Sequence, residues 1–183
     1  MQYAKGEIGA RWAATDENGD TLIYKVEIRG RNESEWKLLK DKVKEKHLGW
    51  DSTAFPDGEY LLRVMVSDEP SNPPDQALTA QMVSEPFIID NTPPVISGLT
   101  ASRSGGKITV RWKAKDALSV IDSADYSVNG GEWTDVEPVT KLSDARELDY
   151  ELTLDGAKSG EKTVIVRVSD GCDNQSVASV VVK

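Results

Sequence analysis

The chain has 183 residues, 38% hydrophobic and 29% charged, with 22 Lys and Arg against 31 Asp and Glu and a net charge of −9. That is a globular balance with room for two domains of about 90 residues. The acidic excess argues against nucleic acid and anionic membrane surfaces as partners, because both need clustered Lys and Arg. No apolar run approaches the roughly 18 residues that cross a bilayer.

In chain order, Met1-Gln2-Tyr3-Ala4-Lys5-Gly6 lacks the apolar centre of a leader peptide and is too short for a full opening strand. Period-two alternation then predicts strands over 7–15, 21–30, 34–39, 46–53, 58–68 and 80–90. In the run at 21–30, Leu22, Tyr24, Val26 and Ile28 face one way and Lys25, Glu27 and Arg29 the other. Lys37 to Lys46 has the composition for one short helix, the only such stretch. Glu17-Asn18-Gly19-Asp20 and Pro56-Asp57-Gly58 supply turn chemistry between strands.

Asp90-Asn91-Thr92-Pro93-Pro94 interrupts the pattern. Two prolines cannot donate ladder hydrogen bonds, so this is a short, stiff linker. Beyond it, strands are expected over 95–103, 106–115, 123–129, 132–136, 147–154, 161–170 and 175–182. Asn129-Gly130 suits the positive φ angles of a tight hairpin. Frequent turns between short strands mean antiparallel β-sandwiches.

The chain also repeats itself. Arg11-Trp12-Ala13-Ala14-Thr15-Asp16 aligns with Arg111-Trp112-Lys113-Ala114-Lys115-Asp116, and Val66-Ser67-Asp68 with Val168-Ser169-Asp170. Trp36 corresponds to Trp133, and Asn72 to Asn174. The expected domains are 1–90, with its opening strand missing, and 91–183.

Trp12 and Trp112 on an early strand, and Phe55-Pro56-Asp57-Gly58-Glu59-Tyr60 before Leu62-Arg63-Val64, carry a family likeness. The sequence resembles tandem fibronectin type III or immunoglobulin-like domains of bacterial exported proteins. The resemblance implies a "tyrosine corner" at Tyr60. In the second copy Thr163 stands in that place, so no such corner is expected there. It also implies an extracellular or periplasmic location and a non-catalytic spacer or protein-interaction role beside neighbouring domains of a larger protein. The absence of a disulfide, given the single Cys172, favours the bacterial setting. A monomer is expected.

Few residues could carry chemistry. His47, the one histidine, stands in Lys44-Glu45-Lys46 as a surface residue rather than a triad base. One His and one Cys far apart cannot make a zinc site. Cys172 lies among acids, which lower thiol reactivity. The pairs Asp122/Asp125 and Glu151/Asp155 read as solvated loop acids rather than glycosidase carboxylates.

Calcium is the one cofactor for which ligands exist. Asp16-x-Asn18-x-Asp20 alternates oxygens, with Glu27 at the twelfth position. But Thr21 stands where an EF-hand needs Gly, and a strand at 21–30 would aim Glu27 away. The candidate ligands are therefore Asp16, Asp20, Asp68, Asp90 and Asn91, gathered at one end of a sandwich. The competing reading gives each Asp a local Asx turn. Trp50 has no counterpart in the repeat and is the candidate exposed platform for a polysaccharide.

Overall fold

A computed structural model describes residues 1–155 and 160–183. They form two compact units, Met1–Ile89 and Asp90–Lys183. Strand accounts for nearly all the regular structure. The only helical turn among the described residues is a 3-10 turn at Ser52–Ala54.

In unit 1, β1 (Gln2–Ala4), β2 (Glu7–Arg11) and β5 (His47–Asp51) form one sheet in the order β1-β2-β5. The other contains β3 (Ile23–Gly30), β4 (Lys37–Val43), β6 (Gly58–Ser67), β7 (Thr79–Val83) and β8 (Phe87–Ile89). Its order is β4-β3-β6, with β7 and β8 sharing the outer edge of β6. Unit 2 repeats this with β9 (Val95–Ser104), β10 (Lys107–Lys115), β11 (Ile121–Val128), β12 (Thr134–Asp135), β13 (Glu147–Leu154), β14 (Lys162–Asp170) and β15 (Gln175–Val182). Its sheets run β13-β10-β9 and β12-β11-β14-β15. All pairings are antiparallel.

Alternation puts one side of each strand into the core. On β10, Ile108, Val110, Trp112 and Ala114 are at most 3% exposed. Each large apolar side chain buried this way contributes about 1.5–3 kcal/mol. The outward residues pair across the sheet: Arg111 with Glu151 at 2.7 Å, and Lys113 and Lys115 with Glu147 at 2.7 and 3.0 Å. The two lysines hold the Glu147 carboxyl down to about 2 through hydrogen bonds and charge. In unit 1 the core gathers Ile8, Val26, Ile28, Leu62 and Ile89.

Two expectations needed correction. The stretch 37–46 is not helical. Residues 37–43 are edge strand β4, bulged against β3 and carrying Lys42 at φ 54°. Its exposed lysines blunt the edge against further pairing. The run 80–90 is broken in two. Ser84, Glu85 and Pro86 oppose only Leu61 and Leu62, which makes a bulge. Pro86 has no N–H, and the Ser84 hydroxyl instead accepts from the Leu62 N–H at 3.0 Å.

The tyrosine corner forms as expected: the Tyr60 hydroxyl donates to the Pro56 carbonyl at 2.7 Å. Asn129 and Gly130 take φ 54° and 74°, the hairpin conformation their sequence suggested. The opening strands differ. Strand β9 spans ten residues and β1 only three.

Candidate functional site

The residues proposed as calcium ligands are divided between the two units, Asp16, Asp20 and Asp68 in unit 1 and Asp90 and Asn91 in unit 2. In unit 1, Asp16, Asp20 and Asp68 come together, with carboxylate oxygens within 4.8 Å of one another. Asp16 and Asp20 are half-buried and Asp68 is 5% exposed. Each has local work. Asp16 Oδ1 accepts from the Asn18 and Asp20 N–H groups, Asp68 Oδ1 accepts from Leu78 N–H, and Asp20 Oδ2 accepts from Asn72 Nδ2.

Asp90 joins two residues outside the sequence-based set. In unit 2, Asp90, Asp116 and Asp170 bring carboxylate oxygens within 4.8 Å of one another, at 5%, 5% and 1% exposure. Asp116 and Asp170 are the repeat partners of Asp16 and Asp68. The alignment that revealed the repeat therefore carried the signal that could have found them. Asn91 follows Asp90 directly and is half-buried.

Three segments deliver this cluster, each through an Asx-type loop. Asp90 Oδ1 accepts from the Thr92 N–H at 3.1 Å. Asp116 Oδ1 accepts from Leu118 and Ser119 N–H at 2.8 and 2.9 Å. Asp170 Oδ1 accepts from Cys172 and Asn174 N–H at 2.8 and 2.9 Å. Asn174 Nδ2 then donates to both Asp170 Oδ2 and the Asp90 carbonyl, at 3.0 and 2.9 Å.

Burial raises the Asp90 carboxyl above its ordinary range. The Ser119 hydroxyl and the Thr92 N–H oppose this, and the charges of Asp116 and Asp170 add to it. Burial, with the surrounding aspartates, also pushes the Cys172 thiol up to about 12, so it stays protonated and unreactive at neutral pH.

Trp50 is not an exposed platform. It is 9% exposed and lies edge-on to Phe87, with ring centres 6.0 Å apart. Its neighbours His47, Gly49 and Asp51 are exposed because β5 alternates, and that same alternation turns Trp50 inward opposite Ile8. Trp112 is core as expected, stacked on Tyr150 at 5.0 Å. Trp12 is only half-buried, edge-on to Tyr24.

Trp36 and Trp133 lie under arginines: Arg29 and Arg63 over Trp36 at 4.9 and 4.5 Å, Arg167 over Trp133 at 4.3 Å. Both Arg63 and Arg167 also bind a carboxylate, Glu27 and Asp125 respectively. Glu27 is thus a strand residue held by Lys25 and Arg63, which removes the EF-hand geometry. His47 is exposed. Asp125, Glu151 and Asp155 each face a cation.

Unit 1 also contains a cavity of about 710 Å³ between the end of β2 and strands β6 to β8. Its lining includes Trp12, Leu62, Val64, Met82 and Phe87. The charged residues of its lining, Arg11 and Glu85, are exposed. Strand β1 pairs with β2 only at Glu7, Ile8 and Gly9, whereas β9 follows β10 as far as Lys115.

Neither a protein-family model nor a curated protein matches the chain. Among solved structures it is similar to the chicken CNTN1 FN1-FN3 domains (15% identity, TM-score 0.48, 99% of this chain). It spans 64% of the length of that one. It is also similar to the Clostridium thermocellum CbhA fibronectin(III)-like modules (19%, 0.47, covering 97% of this chain and 85% of that one). A third is the chicken interferon gamma receptor alpha chain (14%, 0.37, covering 97% and 92%).

The strand order carries the fold assignment by itself. In each unit the first, second and fifth strands form one sheet, and the remaining strands form the other. The chain is two antiparallel β-sandwiches of the fibronectin type III, immunoglobulin-like kind.

Proposed function

We propose that this chain is a non-catalytic module of a larger exported protein, a spacer whose first unit docks an extended segment of a partner domain. One observation carries the reading. In unit 2, Ile96 and Leu99 of β9 pack against the core, and the strand bends between them at Gly98, φ 61°. In unit 1, β1 covers the corresponding edge only from Glu7 to Gly9; from Ala10 onward no strand among the described residues pairs there, and the apolar cavity opens at that place. A segment with apolar residues spaced as in β9 fits this place by adding a strand and covering Trp12. The pairing of acids with Lys and Arg supports a non-catalytic role, since a glycosidase needs two free carboxyls facing across a cleft.

The test is a variant carrying a copy of Val95–Ala101 ahead of Gln2. The added strand should raise the urea midpoint of unit 1, shift the Trp12 indole resonance and leave unit 2 unchanged. An unchanged midpoint with an unmoved Trp12 signal would contradict the docking role.

A further inference from the structure

We propose that the pocket formed by Asp90, Asp116, Asp170 and Ser119 in unit 2 binds a calcium ion. Three carboxylates at 5%, 5% and 1% exposure face one another, and none makes an ion pair with a Lys, Arg or His among the described residues. Buried charges are otherwise paired or coordinated to metal, because desolvating an uncompensated carboxylate is costly.

The second observation is independent of the carboxylates' mutual proximity. Ser119 is 5% exposed, and its buried hydroxyl lies beside the Asp90 carboxyl without forming a hydrogen bond of normal geometry. Asp90 Oδ2 is likewise buried and unpartnered. A native interior rarely leaves two such atoms unsatisfied side by side, and a cation coordinated by both oxygens would satisfy them.

The donor set selects the ion. All the available atoms are hard oxygens. No histidine takes part, which disfavours zinc and copper. Calcium takes oxygens at about 2.3–2.6 Å, so oxygens on opposite sides of it lie about 5 Å apart. Magnesium requires about 2.0–2.1 Å and retains several waters. Three carboxylates meeting beside a serine hydroxyl suit the ion that takes more of its oxygens from protein.

The frame is already built. Each Oδ1 is held by loop N–H groups, and Asp90 Oδ2 remains for the metal. A bound ion would tie the 90–92 segment to the loops after β10 and β14, which stiffens the start of unit 2. This is separate from docking at β2 and survives its failure. Unit 1 supplies the control. Asp16 and Asp68 sit at positions equivalent to Asp116 and Asp170, but Asp16 and Asp20 are only half-buried where all three aspartates of unit 2 are buried.

The experiment is equilibrium dialysis and calorimetry of the chelator-treated full chain with CaCl2. The expected result is one calcium per chain with a dissociation constant of about 0.1–1 mM, the range of extracellular modules. Asp90→Asn should weaken it roughly tenfold or more, while Asp16→Asn leaves it unchanged. Ser119→Ala, which removes no charge, should weaken it as well and serves if Asp90→Asn does not fold. No uptake at 5 mM CaCl2, roughly five times the weakest constant expected, would overturn the proposal. So would uptake that survives Asp90→Asn and Ser119→Ala, or that is lost with Asp16→Asn.

Discussion

Replacing Tyr60 by Phe isolates a single atom of the tyrosine corner. The ring stays in place, with Phe55 edge-on at 5.9 Å and Phe87 at 6.3 Å, so packing is preserved. What is lost is the 2.7 Å bond from the Tyr60 hydroxyl to the Pro56 carbonyl. Such a bond contributes about 1 kcal/mol net. Leaving a fully buried acceptor bare would cost up to about 3 kcal/mol, but Pro56 is exposed and its carbonyl can take water. The expected destabilisation is therefore about 1 kcal/mol, a fall of about 4–8 °C in the midpoint of a domain this size. The assay is urea unfolding followed by tryptophan indole N–H resonances. Trp12, Trp36 and Trp50 report on unit 1, and Trp112 and Trp133 on unit 2. Unit 1 should lose stability and unit 2 should not. Equal loss in both units, or no loss in either, would refute the corner as a unit 1 tether.

Four further outcomes can be checked on the same protein. Trp112→Ala, at a 3% exposed site, should cost unit 2 about 3–5 kcal/mol. Trp133→Ala, 41% exposed beneath Arg167, should cost about 0.5–1 kcal/mol. The Glu27 carboxyl is held below its ordinary 4.5 by hydrogen bonds from Lys25 and Arg63 and by their charges. A folded-state pKa below the unfolded one gives stability that is present above about pH 4.5 and lost on acidification through the lower value. Glu27→Gln should flatten that part of the pH profile of unit 1, read as urea midpoints from pH 7 to pH 3. The Cys172 thiol should react with a disulfide reagent at pH 8 only slowly in the folded chain and at once in urea, since burial and nearby aspartates keep it protonated.

Strand positions were legible because the side-chain period of two survives in sequence. The runs 147–154 and 175–182 match β13 and β15 end to end. Residues 37–46 misled because an edge strand with bulges has little alternation to read, and its lysines are also good helix formers. Trp50 misled because its polar neighbours were read as its environment, when register turns them outward and Trp50 inward. Asp116 and Asp170 were missed as companions of Asp90 because they lie on separate loops that only the sandwich brings together. Local spacing holds no trace of that meeting, although the repeat alignment already linked both to the aspartates chosen in unit 1.

Unit 1 is a sandwich open beyond Gly9 at the edge of β2, where unit 2 is closed along β10 as far as Lys115. Amide hydrogen exchange of the intact chain measures this directly. The amides of Arg11 to Ala14 that face away from β5 should exchange freely, while those of Arg111 to Lys115 that face β9 stay protected. Equal, strong protection at both edges would contradict the claim.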